Sequence, residues 1–179
     1  MNTLHPRSDG AAPTRIAVVV GNPKPASRTL SAARHVACEL AGEPDLVVDL
    51  ATLGPGLLDP SSTDVGGLVG RVGAAELVVV ASPTYKGAYT GLLKLFLDRF
   101  AGGTGLRGLA VPLMLGGSPA HALAPELTLR PVLTELGATV PGRGLFVLDS
   151  QYDDPAAYAD WLAATRPIVS THLNAGAPV

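Results

Sequence analysis

The sequence predicts a three-layer α/β fold, a five-stranded parallel sheet with helices on both faces. Three observations carry that expectation. Five short apolar runs recur along the chain, and the first, Arg15–Val20, is continuous rather than alternating, as a strand covered on both faces is. A helical pattern separates each run from the next, and strand–helix alternation gives a parallel sheet. Three of the runs end in the most unusual loops of the chain, Gly21–Thr29, Ser82–Gly91 and Gly116–His121.

Taken in order, Arg15–Val20 is the first strand. It stops at Gly21-Asn22-Pro23-Lys24-Pro25-Ala26-Ser27-Arg28-Thr29, a loop by its glycine and prolines. Ser27 is a natural N-cap for a helix with apolar positions at Leu30, Ala33, Ala37 and Leu40, which Gly42 ends. Asp45–Leu50 is the second strand. Gly54–Thr63 reads as a loop, and Asp64 as the cap of a weak helix through Ala74. Its glycines each cost up to about 1 kcal/mol against alanine, so tertiary packing must hold it. Leu77–Ala81 is the third strand, followed by the loop Ser82–Gly91 and a helix to Phe100. Leu109–Leu115 is the fourth, although Pro112 removes a ladder donor that a bulge or an edge-like start would have to absorb. A helix after Gly116–His121 runs to Leu136, with irregularities expected at Pro125 and Pro131. Gly144–Leu148 is the fifth strand. A closing helix, Pro155–Leu173, has Pro155 in its first turn and a kink expected at Pro167.

Composition narrows the function classes. The chain has 179 residues, 47% hydrophobic and 16% charged, which suits one globular domain over residues 15–174 behind a flexible N-terminal tail, residues 1–14. A net charge of −2 without a basic stripe argues against nucleic acid as a partner. No apolar run approaches the roughly 18–20 residues of a membrane span, and the polar start lacks a signal-peptide core, so a soluble cytoplasmic protein is expected. Cys38 is the one cysteine and reads as a small side chain in a helix. His5, His35, His121 and His172 lack metal-ligand spacing, so no metal site is expected.

Right-handed crossovers leave few topologies, and five strands without a second half favour the flavodoxin-like order 2-1-3-4-5. In that order the first, third and fourth strands are neighbours, and their three loops meet at the topological switch point, where open α/β sheets bind ligands. Gly21–Thr29 offers backbone N–H groups, the Ser27 and Thr29 hydroxyls and Arg28 at a helix start, which reads either as a phosphate cradle or as an ordinary capped helix. It lacks the spacing of a P-loop. The second loop brings Tyr85 and Tyr89, and its Pro-Thr-Tyr-Lys-Gly turn supplies a flat face and N–H groups for a planar ring; core or interface packing is the alternative for both tyrosines. Gly116-Gly117-Ser118 permits close backbone approach to a ligand, and His121 reads as a helix-cap residue. Gly103-Thr104-Gly105-Leu106-Arg107-Gly108 spells a dinucleotide fingerprint, but it follows a helix and precedes a strand, the reverse of the required context, and reads as a flexible connection. No nucleophile–base pair or carboxylate pair is visible, so no catalytic side chain is assigned and a cofactor is expected to carry the chemistry.

Three stretches resemble the NAD(P)H-dependent FMN reductases of the flavodoxin-like superfamily, most closely the branch that feeds reduced flavin to sulfonate monooxygenases. They are Gly21-Asn22-Pro23 with Ser27-Arg28-Thr29, Ser82 to Lys94 with Asp98, and Gly116 to His121 with Leu129-Arg130-Pro131-Val132-Leu133. The resemblance spans about residues 15–150. It implies that Asn22, Ser27 and the N–H groups around Arg28 and Thr29 hold the FMN phosphate. It implies further that Pro83, Thr84, Tyr85, Lys86 and Gly87 line the isoalloxazine ring and that Gly116, Gly117 and Ser118 close its other side. Lys94 and Asp98 match a charged pair on a helix that family members use for homodimer and homotetramer packing; their spacing alone says only a surface pair. In the sulfonate-linked members an aromatic, associated with a local helix widening and with flavin retention or release, often stands where this chain has Leu127.

The expected activity is hydride transfer from NADPH or NADH to FMN, with a flavin-dependent monooxygenase as a possible recipient of the reduced flavin. Alternatives are a reductase that keeps FMN bound and passes electrons to a quinone, azo dye or metal ion, a flavodoxin-type electron carrier, which the weak net charge disfavours, and a non-flavin module of the same fold.

Overall fold

A computed structural model describes residues 15–175; the tail expected over residues 1–14 lies outside the described residues. The sheet has five parallel strands: β1 (Ile16–Val20), β2 (Leu46–Asp49), β3 (Leu77–Pro83), β4 (Leu109–Gly116) and β5 (Leu145–Leu148). Their order is β2-β1-β3-β4-β5, as the alternation of elements implied. The helices are α1 (Arg28–Ala41), α2 (Thr63–Gly73), α3 (Gly91–Leu97), α4 (Arg130–Glu135) and α5 (Ala156–Ala175).

Successive strand residues point to opposite faces, and both faces are covered, which is why the strands are apolar throughout. Val18, Val20, Val79 and Val111 pack under α1 and α5 with Val36, Leu40, Tyr158 and Leu162. Val19, Val78, Val80 and Met114 pack under α2, α3 and α4 with Val72, Phe96, Leu97 and Leu133.

Both strand prolines sit where no ladder bond is lost. Ala110 donates to the Thr139 carbonyl, so even-numbered residues of β4 face the β5 side; Pro112 therefore points to a stretch that β5, which begins opposite Leu113, has not yet reached. No bulge is needed. β3 runs two residues further than its apolar run predicts, taking in Ser82 and Pro83. Thr84 N–H continues the ladder to the Leu115 carbonyl at 2.6 Å, and Pro83 faces the β1 side beyond the end of β1.

Three other expectations change. The cap of α2 is Ser62, whose Oγ accepts the Val65 N–H at 3.4 Å, while Asp64 lies in the first turn, where a carboxylate favours the helix dipole. The loop before α2 contains a 3₁₀ segment, Gly54–Leu58. The glycine-rich connection 103–108 is packed rather than flexible: a Cβ on Gly105 would lie 2.5 Å from the Ala101 carbonyl, and Gly103 and Leu106 donate to the carbonyls of Glu135 and Leu136. Helix α5 runs through Pro167, the position at which the kink is expected.

Helix α3 is fastened to the end of β1. The Thr90 hydroxyl accepts the Leu93 N–H at 3.1 Å and donates to the Gly21 carbonyl, across 69 residues of chain. Thr90→Val keeps the side-chain shape and removes both bonds. It should lower stability by about 2 kcal/mol, one cap and one buried hydrogen bond, in urea denaturation. A loss below about 0.5 kcal/mol, the scale of an inconsequential surface change, would refute the fastening.

Candidate functional site

The carboxyl ends of β1, β3 and β4 lie side by side, and the three loops that follow them form one edge of the molecule. The loops themselves carry Lys24, Arg28 and Lys86 and no acidic residue.

The first loop is held by its own side chains. Asn22 donates from Nδ2 to Thr29 Oγ1 at 3.0 Å and accepts the Lys24 N–H on Oδ1 at 2.9 Å. Ser27 is buried and caps α1, its Oγ accepting the Leu30 N–H at 3.3 Å; the hydroxyl hydrogen is not used in that bond. The N–H groups of Arg28 and Thr29, at the first two helical positions, have no acceptor inside the helix. Thr29 is buried, whereas the Arg28 guanidinium lies 5.5 Å over the ring of Tyr152, at the approach to α5. Arg28 thus brings its backbone rather than its charge to the helix start. Asp49, at the end of β2, also reaches this loop: its Oδ2 accepts the Ala26 N–H at 3.0 Å. Sequence reasoning left Asp49 inside a strand. The signal that could have found it is the strand order, which sets the end of β2 beside the loop after β1.

The second loop is a tight hairpin. Tyr85 and Ala88 exchange both backbone hydrogen bonds, at 2.9 and 3.2 Å, around Lys86 (φ 54°) and Gly87 (φ 81°). Two consecutive positive φ values are the type I′ pattern, whose central amides stay outside the hairpin's own bonds. Lys86 in the left-handed region costs about 1–2 kcal/mol, a strain of the kind that gathers at ligand sites. Tyr85 is 54% exposed, an uncovered aromatic face beside the loop, while Tyr89 is partly buried against the core, as its packing alternative anticipated. Ser82 Oγ accepts the Thr90 N–H at 3.0 Å and fixes the far end of the loop.

Thr84 stands out chemically. Its Oγ1 is buried and has no hydrogen-bond partner. A Cβ on Gly116 would lie 3.3 Å from that oxygen and 2.9 Å from the Phe146 ring, so the second and third loops meet across a glycine that leaves no space for a side chain. A Cβ on Gly117 would meet nothing within 4 Å, and Ser118 turns its Oγ back onto the Ala120 N–H at 3.3 Å, capping a 3₁₀ turn, Pro119–His121. Ser118, not His121, is therefore the cap.

Beyond this turn the chain forms a π-helix, Pro125–Leu129, at the place the two prolines marked. Pro131 has no N–H for the Leu127 carbonyl, and the Arg130 N–H reaches back five residues to the Pro125 carbonyl, which widens the turn. Glu126 and Arg130 brace it: Glu126 Oε2 accepts the Gly144 N–H at 2.8 Å, and Arg130 pairs with Glu126 and donates to the Gly142 carbonyl. The widening forms without an aromatic at Leu127, which is 67% exposed.

Among the described residues no group of three His, Cys, Asp or Glu side chains is placed to hold a metal ion, and no helix is long and apolar enough to cross a membrane. Cys38 is half-buried and donates to Glu43; burial and that hydrogen bond push its thiol pKa up, away from nucleophilic chemistry. Grooves of about 480 and 570 Å³ lie at the opposite, amino-terminal edge of the sheet; both border Ala175, the last described residue.

Comparison with known proteins bears on the family and the fold. A family model described as NADPH-dependent FMN reductase matches residues 14–153. The chain is 37% identical over 96 residues to an FMN reductase (NADPH) of Pseudomonas putida, a match covering 54% of this chain and 45% of that one. It is 41% identical over 80 residues to an FMN reductase (NADPH) of Escherichia coli, covering 45% and 42%. These two matches thus span less than half of either relative's length. A third, to the NADH-dependent FMN reductase SfnF of Pseudomonas fluorescens, is 28% identical and covers 90% of this chain and 95% of the relative. Among solved structures, the apo form of the NADH:FMN oxidoreductase EMOB superposes with a TM-score of 0.78 at 29% identity, covering 88% of this chain and 89% of that one. An archaeal flavodoxin, at 14% identity and a TM-score of 0.56, shares the fold.

Proposed function

The chain belongs to the family of NADPH-dependent FMN reductases, and from that premise we propose that it oxidises NADPH or NADH with FMN bound across the three loops. The carrying observation is the loop edge itself. It combines two unspent helix-start amides at Arg28 and Thr29, a buried unpartnered Thr84 Oγ1, and a Gly116 with no space for a Cβ. These fit the group. A phosphate suits the N–H groups of Arg28 and Thr29 and the free hydroxyl hydrogen of Ser27, with Asn22 holding Thr29 in place. A planar ring with a polar edge suits the Pro83–Gly87 turn, where Thr84 needs a partner and the Lys86 and Gly87 amides are free to donate. Gly116, Gly117 and Ser118 would close the other side. Bound FMN would supply the redox chemistry, with the nicotinamide as hydride donor; the protein's part is to orient the two and to offer preorganised donors, and no side chain is required as acid or base.

The test is direct. Purified protein with added FMN should oxidise NADPH or NADH, followed at 340 nm, and oxidation should scale with FMN. No flavin-dependent oxidation with either nicotinamide would overturn the reading.

We place the reaction in the cytoplasm, with reduced FMN supplied to a flavin-dependent monooxygenase, on the resemblance to the sulfonate-linked branch. Exposed Leu95, Leu123 and Leu127, with the exposed Lys94–Asp98 pair, suit a homodimer or homotetramer. Leu127 in place of an aromatic favours a second reading in which FMN stays bound between turnovers; yellow protein on purification would support it.

A further inference from the structure

We infer that Asp49 is a positioning residue for the flavin phosphate, acting through the shape of the loop that would receive it. The inference rests on the reading that FMN seats its phosphate on Gly21–Thr29.

The Asp49 carboxylate bridges two segments. Oδ2 accepts the Ala26 N–H at 3.0 Å, and Oδ1 accepts the Ala51 N–H at 3.3 Å, closing the 3₁₀ turn Leu50–Thr52. The first bond crosses from the end of β2 to the loop after β1. It holds Ala26 at φ 50°, a conformation that alanine rarely adopts and that costs about 1–2 kcal/mol if nothing compensates. Ala26 immediately precedes Ser27, the cap. Its left-handed turn therefore sets the direction in which the Ser27 hydroxyl and the amides of Arg28 and Thr29 face. Pro23 and Pro25 offer no N–H, and the Lys24 N–H is spent on Asn22 Oδ1, so Asp49 is the tie between this part of the loop and the sheet.

A carboxylate is an unexpected neighbour for a phosphate, and that conflict makes the proposal testable. If Asp49 acted only through its charge, removing it would tighten binding of an anion. If it acts by holding Ala26, removing it loosens binding of the phosphate and leaves the ring's affinity alone.

Asp49→Ser separates these. Its hydroxyl can still accept the Ala51 N–H two residues on and keep the local turn, but it is too short to reach Ala26. FMN and riboflavin are titrated into wild-type and variant protein, and flavin fluorescence gives the two dissociation constants. The expected result is an approximately tenfold weaker affinity for FMN, about 1.4 kcal/mol, with riboflavin within about twofold of wild type. Unchanged or tighter FMN binding overturns the role of Asp49. An equal loss for both flavins shows a merely structural residue and overturns it too. Wild-type protein that binds riboflavin as tightly as FMN overturns the phosphate reading itself, and this inference with it. Should Asp49→Ser not fold, Asp49→Asn serves: its one oxygen can satisfy only one of the two amides, and a smaller loss confined to FMN is expected.

Discussion

Gly21→Ala should destabilise the protein by about 3 kcal/mol and weaken FMN binding along with it. A Cβ at position 21 would stand 2.4 Å from Leu93 Cβ and 3.0 Å from Leu93 Cα. The obstacle is helix backbone rather than the end of a flexible side chain, so α3 itself must move. Leu93 is fully buried, and Thr90 ties the start of α3 to the Gly21 carbonyl, so the shift has no inexpensive direction. Overpacking a dense core costs roughly 1–3 kcal/mol and occasionally more, and the broken Thr90 bond places this case at the upper end. The hairpin Tyr85–Ala88 leads directly into α3, so the displaced helix carries the second loop away from the first. Urea denaturation and FMN titration read the two consequences. Gly66→Ala is the control: its Cβ would meet nothing within 4 Å on a helix, and it should gain up to about 1 kcal/mol. Equal midpoints for Gly21→Ala and wild type would show that β1 and α3 do not meet as closely as described.

What was legible in the sequence divides along physical lines. The strand order follows from alternation and chain length, and by itself it brings Gly21–Thr29, Ser82–Gly91 and Gly116–His121 together. Local chemistry also read well at Ser27, where one residue type and its place before an apolar pattern define a cap. The cap of α2 misread because Ser62 and Asp64 are both good capping types, and only the reach of Ser62 Oγ to the Val65 N–H decides between them. The extension of β3 through Pro83 was hidden because a proline ends a strand only when its missing donor faces a neighbour, and facing depends on the register with β1 and β4. Pro112 is ambiguous for the same reason: the sequence allows a bulge or an edge-like position, and the register with β5 selects the edge-like one. The positive φ of Lys86 and the reach of Asp49 to Ala26 are tertiary facts. No local pattern announces them, since neither lysine nor an acid at a strand end is unusual by itself. Pro125 and Pro131 marked where the helix would be irregular, but whether it tightened or widened depended on the Arg130 N–H reaching the Pro125 carbonyl.

Ser27→Asp should leave the fold intact and lower FMN affinity by about 100-fold or more. Ser27 Oγ has two separable capacities. As an acceptor it takes the Leu30 N–H and caps α1; as a donor its hydrogen remains for a ligand at the helix start. Aspartate is as good a cap as serine and adds a favourable interaction with the helix dipole, so thermal stability should hold or rise. It has no hydrogen to donate at neutral pH, and it sets a second negative charge against the phosphate. Like charges forced together at a binding surface cost several kcal/mol, and about 2.7 kcal/mol already amounts to 100-fold. Ser27→Ala makes the complementary change. It loses the cap, for about 1 kcal/mol of stability, and loses one donor to the phosphate, for a weakening of about tenfold, without the repulsion. The order of stability is then aspartate at or above serine, with alanine lowest, whereas the order of FMN affinity is serine, alanine, aspartate. Riboflavin, lacking the phosphate, should discriminate little among the three. An aspartate variant that binds FMN as tightly as wild type would remove the phosphate from the start of α1 and require another seat for it, whereas crossed orders would tie the binding to this helix terminus by charge rather than by stability.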